Sequence, residues 1–196
     1  MSVIGRASRF VAGGQQRVYA TWNPSDKAAN VTLSGGNLTM AVAGATYDSV
    51  RSTISKNSGK HYWEYLWNSG TNAAFGVADA TLVLAGNWPG DDTHGWSVFS
   101  LNGFNYTGNS AVSDAFGGAF SPVKTIGVAL DLDSGSVRFY LNNVAATNAL
   151  SITGSPTVFA CVGSYNSANN ITANFGATAF TYTPPGGYRS GLYTGP

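Results

Sequence analysis

Groups able to do chemistry are few in this chain. Carboxylates stand at Asp26, Asp48, Glu64, Asp79, Asp91, Asp92, Asp114, Asp131 and Asp133, joined by His61, His94 and the single Cys161. The densest cluster is Gly90-Asp91-Asp92-Thr93-His94, a spacing that could hold a hard divalent cation in an oxygen-rich loop. A solvated turn after Pro89 is the plainer reading and the one adopted, so no metal and no cofactor are expected. Cleavage of a glycan by paired carboxylates needs two such groups roughly 5–9 Å apart across the sugar. Glu64 is the only glutamate, and Asp131 and Asp133 have structural roles in a hairpin. A Gly-x-Ser-x-Gly elbow and a phosphate loop are both missing. Cys161, inside the apolar run "TVFACVGSY", reads as a small core residue. His61, in "GKHYWEYLW", falls in the inward set with Trp63, Tyr65 and Trp67, as a satisfied histidine rather than a ligand. No catalytic residues are expected.

Composition narrows the classes further. Charged residues make up 10% of the 196 and the formal net charge is +1, against a typical charged share of about 25%. The ten basic residues are scattered, which leaves no stripe to displace counterions from nucleic acid. No apolar run reaches the ~18 residues needed to cross a membrane as a helix. The N-terminus "MSVIGRASRFVAGGQQRVYA" lacks the continuous apolar segment of a secretory signal, so the chain is expected to be made in a cytoplasm.

Whatever these groups do, short strands must position them. Turn signals such as Ser34-Gly35-Gly36-Asn37, Asn102-Gly103, Ser134-Gly135 and Asn142-Asn143 recur about every ten residues, separated by alternating runs rich in Val, Ile, Tyr, Phe and Trp. That spacing predicts an all-β sandwich or barrel. The stretch "IGVALDLDSGSVRFYLNN" from Ile126 to Asn143 predicts a half-buried antiparallel hairpin. A two-residue turn at Ser134-Gly135 would oppose Leu130 to Phe139 and Asp131 to Arg138. A one-residue slip would set apolar side chains against polar ones, so the loop must have even length. In "GWSVFSLNGFNYTGN", a turn at Asn102-Gly103 would pair Phe99 with Tyr106 in the same way.

The motifs "GKHYWE" (59–64), "FGVA" (75–78), "GWSVFSLNG" (95–103), the long hairpin, and "ITANFG" (171–176) resemble, in order and spacing, those of the SPRY domain. The resemblance covers about Trp22 to Tyr188. It implies a concanavalin A-like sandwich of two antiparallel sheets, used as a non-catalytic recognition module with contacts from loops at one end. The expected division is an N-terminal arm over 1–20, the SPRY-like β-sandwich over 21–190 and a C-terminal tail over 191–196. The Asn, Gly and Thr-rich, charge-poor composition resembles SPRY-like modules of bacteriophage structural proteins.

Candidate binding residues follow from aromatics placed on loops. Trp88, between Asn87 and Pro89, is expected to be at least partly exposed, with folding back as a lid over the sandwich end as the alternative. Tyr106 follows the Asn102-Gly103 turn, and Tyr165 sits in the polar connection "SYNSANN", a mixture suited to adaptable contacts. With Asp91, His94 and Asn166 they form the expected ligand-binding set. The expected function is recognition or assembly in a bacteriophage virion, as tail, fibre or capsid decoration, with a host-surface glycan or a neighbouring virion protein as partner. Self-association into a homo-oligomer is compatible with it. Rival readings are a glycan-cleaving enzyme on the same scaffold and an intracellular adaptor for short peptides.

Overall fold

A computed structural model describes residues 16–154, 157–165 and 168–196. Among them there is no helix. The first strands are β1 (Val18–Tyr19), β2 (Trp22–Lys27), β3 (Val31–Ser34), β4 (Thr39–Val42), β5 (Asp48–Lys56) and β6 (Lys60–Ser69). The central ones are β7 (Ala73–Ala78), β8 (Gly95–Phe99), β9 (Phe104–Thr107), β10 (Ser110–Asp114), β11 (Lys124–Asp131) and β12 (Ser136–Leu141). The last are β13 (Val144–Ala145), β14 (Leu150–Ser151), β15 (Val158–Ser164), β16 (Asn170–Asn174), β17 (Arg189–Ser190) and β18 (Tyr193–Thr194). Two sheets form the sandwich. One runs β10-β9-β8-β7-β15-β5-β2, and the other runs β13-β12-β11-β6-β16-β4-β3 with β14 on β12 and β17 on β6. Pairing is antiparallel except that β17 lies parallel to β6. The all-β architecture expected from the turn spacing is present, and it is the two-sheet sandwich that the SPRY resemblance implies.

The core between the sheets is aromatic. Trp22, Trp63, Tyr65, Trp67, Phe75, Phe139 and Phe175 are fully enclosed there, and Trp22 packs on both Tyr65 and Phe175. The inward set His61, Trp63, Tyr65 and Trp67 is buried as expected, and so is Cys161.

Both hairpin registers need correction, by the same step. Asp131 opposes Ser136, not Arg138, and Leu130 opposes Val137, not Phe139, because the loop holds four residues, 132–135. Phe99 opposes Phe104, and Tyr106 opposes Ser97. In each loop an acid or amide takes up two more residues. Asp131 accepts the Ser134 N–H (3.1 Å) and pairs with Lys60 on β6 (2.9 Å). Asn102 accepts the Phe104 N–H (3.1 Å), while Ser100 turns away to bind Ala73. The even loop length survives, and with it the apolar face. The two-residue turn occurs instead at Asn142-Asn143, with φ of 46° and 70°, as the mirror-image hairpin turn requires.

The long hairpin is half-buried on β12 alone, where Val137 and Phe139 alternate with partly exposed residues. Strand β11 is enclosed on both faces, because the segment after β16 crosses the outer side of its sheet. Glu64 anchors that segment: buried, it accepts the Thr181 N–H (2.8 Å), the Tyr182 N–H (2.9 Å) and the Tyr62 hydroxyl (3.1 Å). Phe180 then meets the Tyr62 ring edge-on at 5.2 Å.

At the ends, residues 16–20 of the expected arm meet the expected tail. Val18 pairs with Thr194 and Tyr19 with Tyr193. Residues 1–15 of that arm lie outside the described residues.

Candidate recognition site

Between β7 and β8 the chain makes a strap, residues 79–94, across one end of the seven-stranded sheet. Its ends are closed on each other: the Asp79 N–H donates to the His94 carbonyl (2.9 Å), and His94 Nδ1 lies 2.9 Å from the Asp79 carboxylate. Arg51 donates to the carbonyls of Asp79 and Leu82 (both 2.9 Å) while holding Asp26 at 2.8 Å. The Ser49 hydroxyl donates to the Asn87 carbonyl (2.7 Å), and Gly108 and Asn109 donate to Asp92 and Gly90 (2.8 Å each). The strap is therefore fixed along its length.

Trp88 is the strap's weight-bearing side chain, and here the structure corrects its expected exposure. The indole is 6% exposed. It stacks on Phe99 (4.9 Å between centroids, 18° between planes) and meets Tyr106 edge-on at 5.2 Å. With Ala74 these make a small apolar cluster separate from the main core. The close approach depends on absent side chains below: a Cβ on Gly163 would lie 2.9 Å from the Trp88 Cβ and 3.0 Å from Pro89. Trp88 folds back as a lid, but against Ala74 and Phe99 of the seven-stranded sheet rather than over the sandwich end.

Tyr47 extends the cluster outward. Its ring sits 6.2 Å from Trp88 and 5.0 Å from Tyr165, which is 37% exposed. A row of rings thus runs from Tyr106 through Trp88 and Tyr47 to Tyr165. Burial, then Tyr165, then Asp91 hold the Tyr47 hydroxyl above the usual tyrosine range. Partial burial and the Asp92 charge likewise raise the Asp91 carboxyl. The Asp91 N–H donates to the Trp88 carbonyl (3.0 Å), which sets this carboxylate one turn from the indole.

The structure brings Trp88, Asp91, Tyr106 and Tyr165 to one end. His94 closes the strap through Asp79 and contributes no ring to the row. Asn166 lies outside the described residues. Sequence reasoning missed Tyr47 and Phe99. Phe99 was legible as an outward-facing residue, since it shares a face with Tyr106 on the second hairpin. Tyr47 gives no such signal, being brought to Tyr165 by pairing of β5 with β15.

The remaining acids have structural roles. Asp92 accepts the His94 N–H (2.8 Å), and Glu64 is committed to the crossing segment. Among the described residues no group of three His, Cys, Asp or Glu side chains could hold a metal ion. Melting temperatures with and without excess EDTA are expected to coincide, and a fall of several degrees with chelator would contradict this arrangement.

The His94–Asp79 pair has a defined pH signature. The hydrogen bond to Asp79 raises the His94 value above its ordinary one of about 6.5. A raised folded value stabilises most below the unfolded value, and the contribution disappears as pH rises through the folded one. The melting temperature of the wild type relative to His94→Gln is therefore expected to be highest below about pH 6.5 and to decline above it. An advantage that grew with pH would reverse the assignment.

The chain is thus a two-sheet sandwich that carries a row of aromatic rings on a pinned strap. The SPRY domain family model matches residues 60–178. The chain belongs to the SPRY domain family, a family of protein–protein interaction modules. It is 31% identical over 96 residues to human "E3 ubiquitin-protein ligase TRIM58", a match covering 48% of this chain and 20% of that protein. The match thus spans about a fifth of that relative's length. The fold is shared with the SPRY domain of human HERC1, with TM-score 0.68 and 13% identity over 78% of this chain and 96% of that one. It is shared too with the PSpry domain of TRIM65, with TM-score 0.65 and 16% identity over 80% and 90%.

Proposed function

We propose that this domain binds a protein partner through the strap end, with Tyr165, Tyr47 and Asp91 as the contact surface and Trp88 as its support. The observation that carries this reading is the row of rings that begins in a buried cluster and ends on an exposed tyrosine. Aromatics held rigidly at a surface supply large contact area at low entropy cost, and loops on a fixed scaffold are where binding groups concentrate. No catalytic role is assigned to any residue. The bacteriophage virion setting, and a glycan as the partner, draw on composition; the relatives with a stated organism are human proteins.

The test is a separation of binding from stability. Tyr165→Ala is expected to leave the melting temperature nearly unchanged, because a partly exposed ring adds little to the core. It is expected to weaken a selected peptide ligand by about 2 kcal/mol or more, the scale of an interface hot spot. Full binding by the folded variant would move the contact surface off this end.

A further inference from the structure

Of the nine carboxylates, eight have partners within the described residues. Asp26 pairs with Arg51, Asp79 with His94 and Asp131 with Lys60. Asp48 takes Asn30 and Thr46, while Glu64, Asp92, Asp114 and Asp133 accept backbone N–H groups. Asp91 is the exception. Among the described residues its carboxylate accepts no hydrogen bond and meets no cation, although it is half-buried. The Asp91 charge is felt at the Tyr47 hydroxyl, and the Tyr47 ring meets that of the exposed Tyr165 at 5.0 Å and 50°, so that the two rings form a corner. No Lys or Arg occurs in 44–48, 80–93 or 163–165, the segments that build the corner, whereas Asp48, Asp91 and Asp92 do.

We infer that this corner takes a cationic side chain, arginine or lysine, from the protein partner. The inference rests on the recognition reading above and names the chemistry of its ligand. An unpaired, partly desolvated carboxylate attracts a cation more strongly than an exposed one does. Tyrosine faces add the quadrupole attraction that such a cation finds within about 6 Å of a ring centroid. A planar guanidinium satisfies both demands at once, lying on one ring while its edge donates to the carboxylate. A neutral sugar would stack on the same rings but would have no need of the charge on Asp91.

The experiment selects displayed random peptides on the full chain, then titrates the chain with Nα-acetyl-arginine amide and with its neutral citrulline analogue. Selected peptides are expected to be enriched in Arg or Lys at one position, and to lose roughly tenfold or more in affinity on Asp91→Asn and on Tyr165→Ala. Their binding should fall as salt rises. Arginine amide, but not citrulline amide, should shift the Tyr165 ring resonances. Melting temperatures of both variants check that they are folded. Peptides that depend on Tyr165 but show no basic enrichment, and that bind Asp91→Asn as well as wild type, would overturn the cation while leaving the recognition reading intact. Peptides indifferent to Tyr165→Ala would overturn both. No selected peptide and no response to arginine amide would also overturn the cation, as would a glycan ligand that tolerates Asp91→Asn.

Discussion

Trp88→Ala is expected to destabilise the fold by about 3–5 kcal/mol, the cost of truncating a buried tryptophan. For a chain of this length that corresponds to a drop in melting temperature of roughly 6–20 °C. The indole fills the space between Phe99, Tyr106, Gly163 and Gly90, where a Cβ on either glycine would lie 2.9 Å from Trp88, and the backbone, pinned from Asp79 to His94, cannot collapse into the gap. Trp88→Phe should recover part of the loss, because the stack on Phe99 survives while the cavity shrinks. Thermal or urea unfolding measures both. A Trp88→Ala variant within 1 kcal/mol of wild type, a scale typical of surface substitutions, would show the strap to be dispensable to the sandwich. The contrast with Tyr165→Ala is the informative part, since two rings of one row should separate stability from binding.

Glu64→Ala should cost about 1–3 kcal/mol, the scale of one buried polar group left without a partner. It takes the acceptor from the buried Tyr62 hydroxyl and from two part-buried backbone donors, at Thr181 and Tyr182. Glu64→Gln keeps an acceptor oxygen and should lose less. The damage should be local first: the segment 177–187 loses its anchor to the outer face of β6, and limited proteolysis should cut there before the sandwich unfolds. Cleavage elsewhere, with 177–187 protected, would assign the anchoring to Phe180 alone.

Much of the fold was legible because side-chain period is a local property. Alternation in "GKHYWEYLW" placed His61, Trp63, Tyr65 and Trp67 inward, and the structure buries all four. Turn length was less legible. In both hairpins the parity of the loop was right and the register was wrong by two residues, and in the first the apolar face was also right. Period fixes parity, but the hydrogen bonds that Asp131 and Asn102 accept from turn N–H groups fix length, and the charge partner of Asp131 is Lys60 on another strand. Outer-face burial was illegible for a related reason. Tyr62 and Glu64 alternate as solvent-facing residues should, and only the return of residues 180–182, more than a hundred positions away, covers them. Trp88 was misplaced because its neighbours Asn87 and Pro89 signal a loop, and a loop was taken as exposed. What buries it is the pair of glycines at 90 and 163, which let two backbones meet around the ring.

The ladder between β1 and β18 bears on how such a domain can be joined to others. Val18 stands opposite Thr194, and Arg17 reaches the carbonyl of Pro196 at 2.8 Å while its guanidinium covers the Tyr193 ring. Paired strands lie about 4.8 Å apart, so the polypeptide enters and leaves the sandwich through what amounts to one doorway. A unit of that kind can be spliced into a surface loop of a larger protein without prying the loop's two stems apart, and the strap, fixed within the sandwich, would be carried along undisturbed.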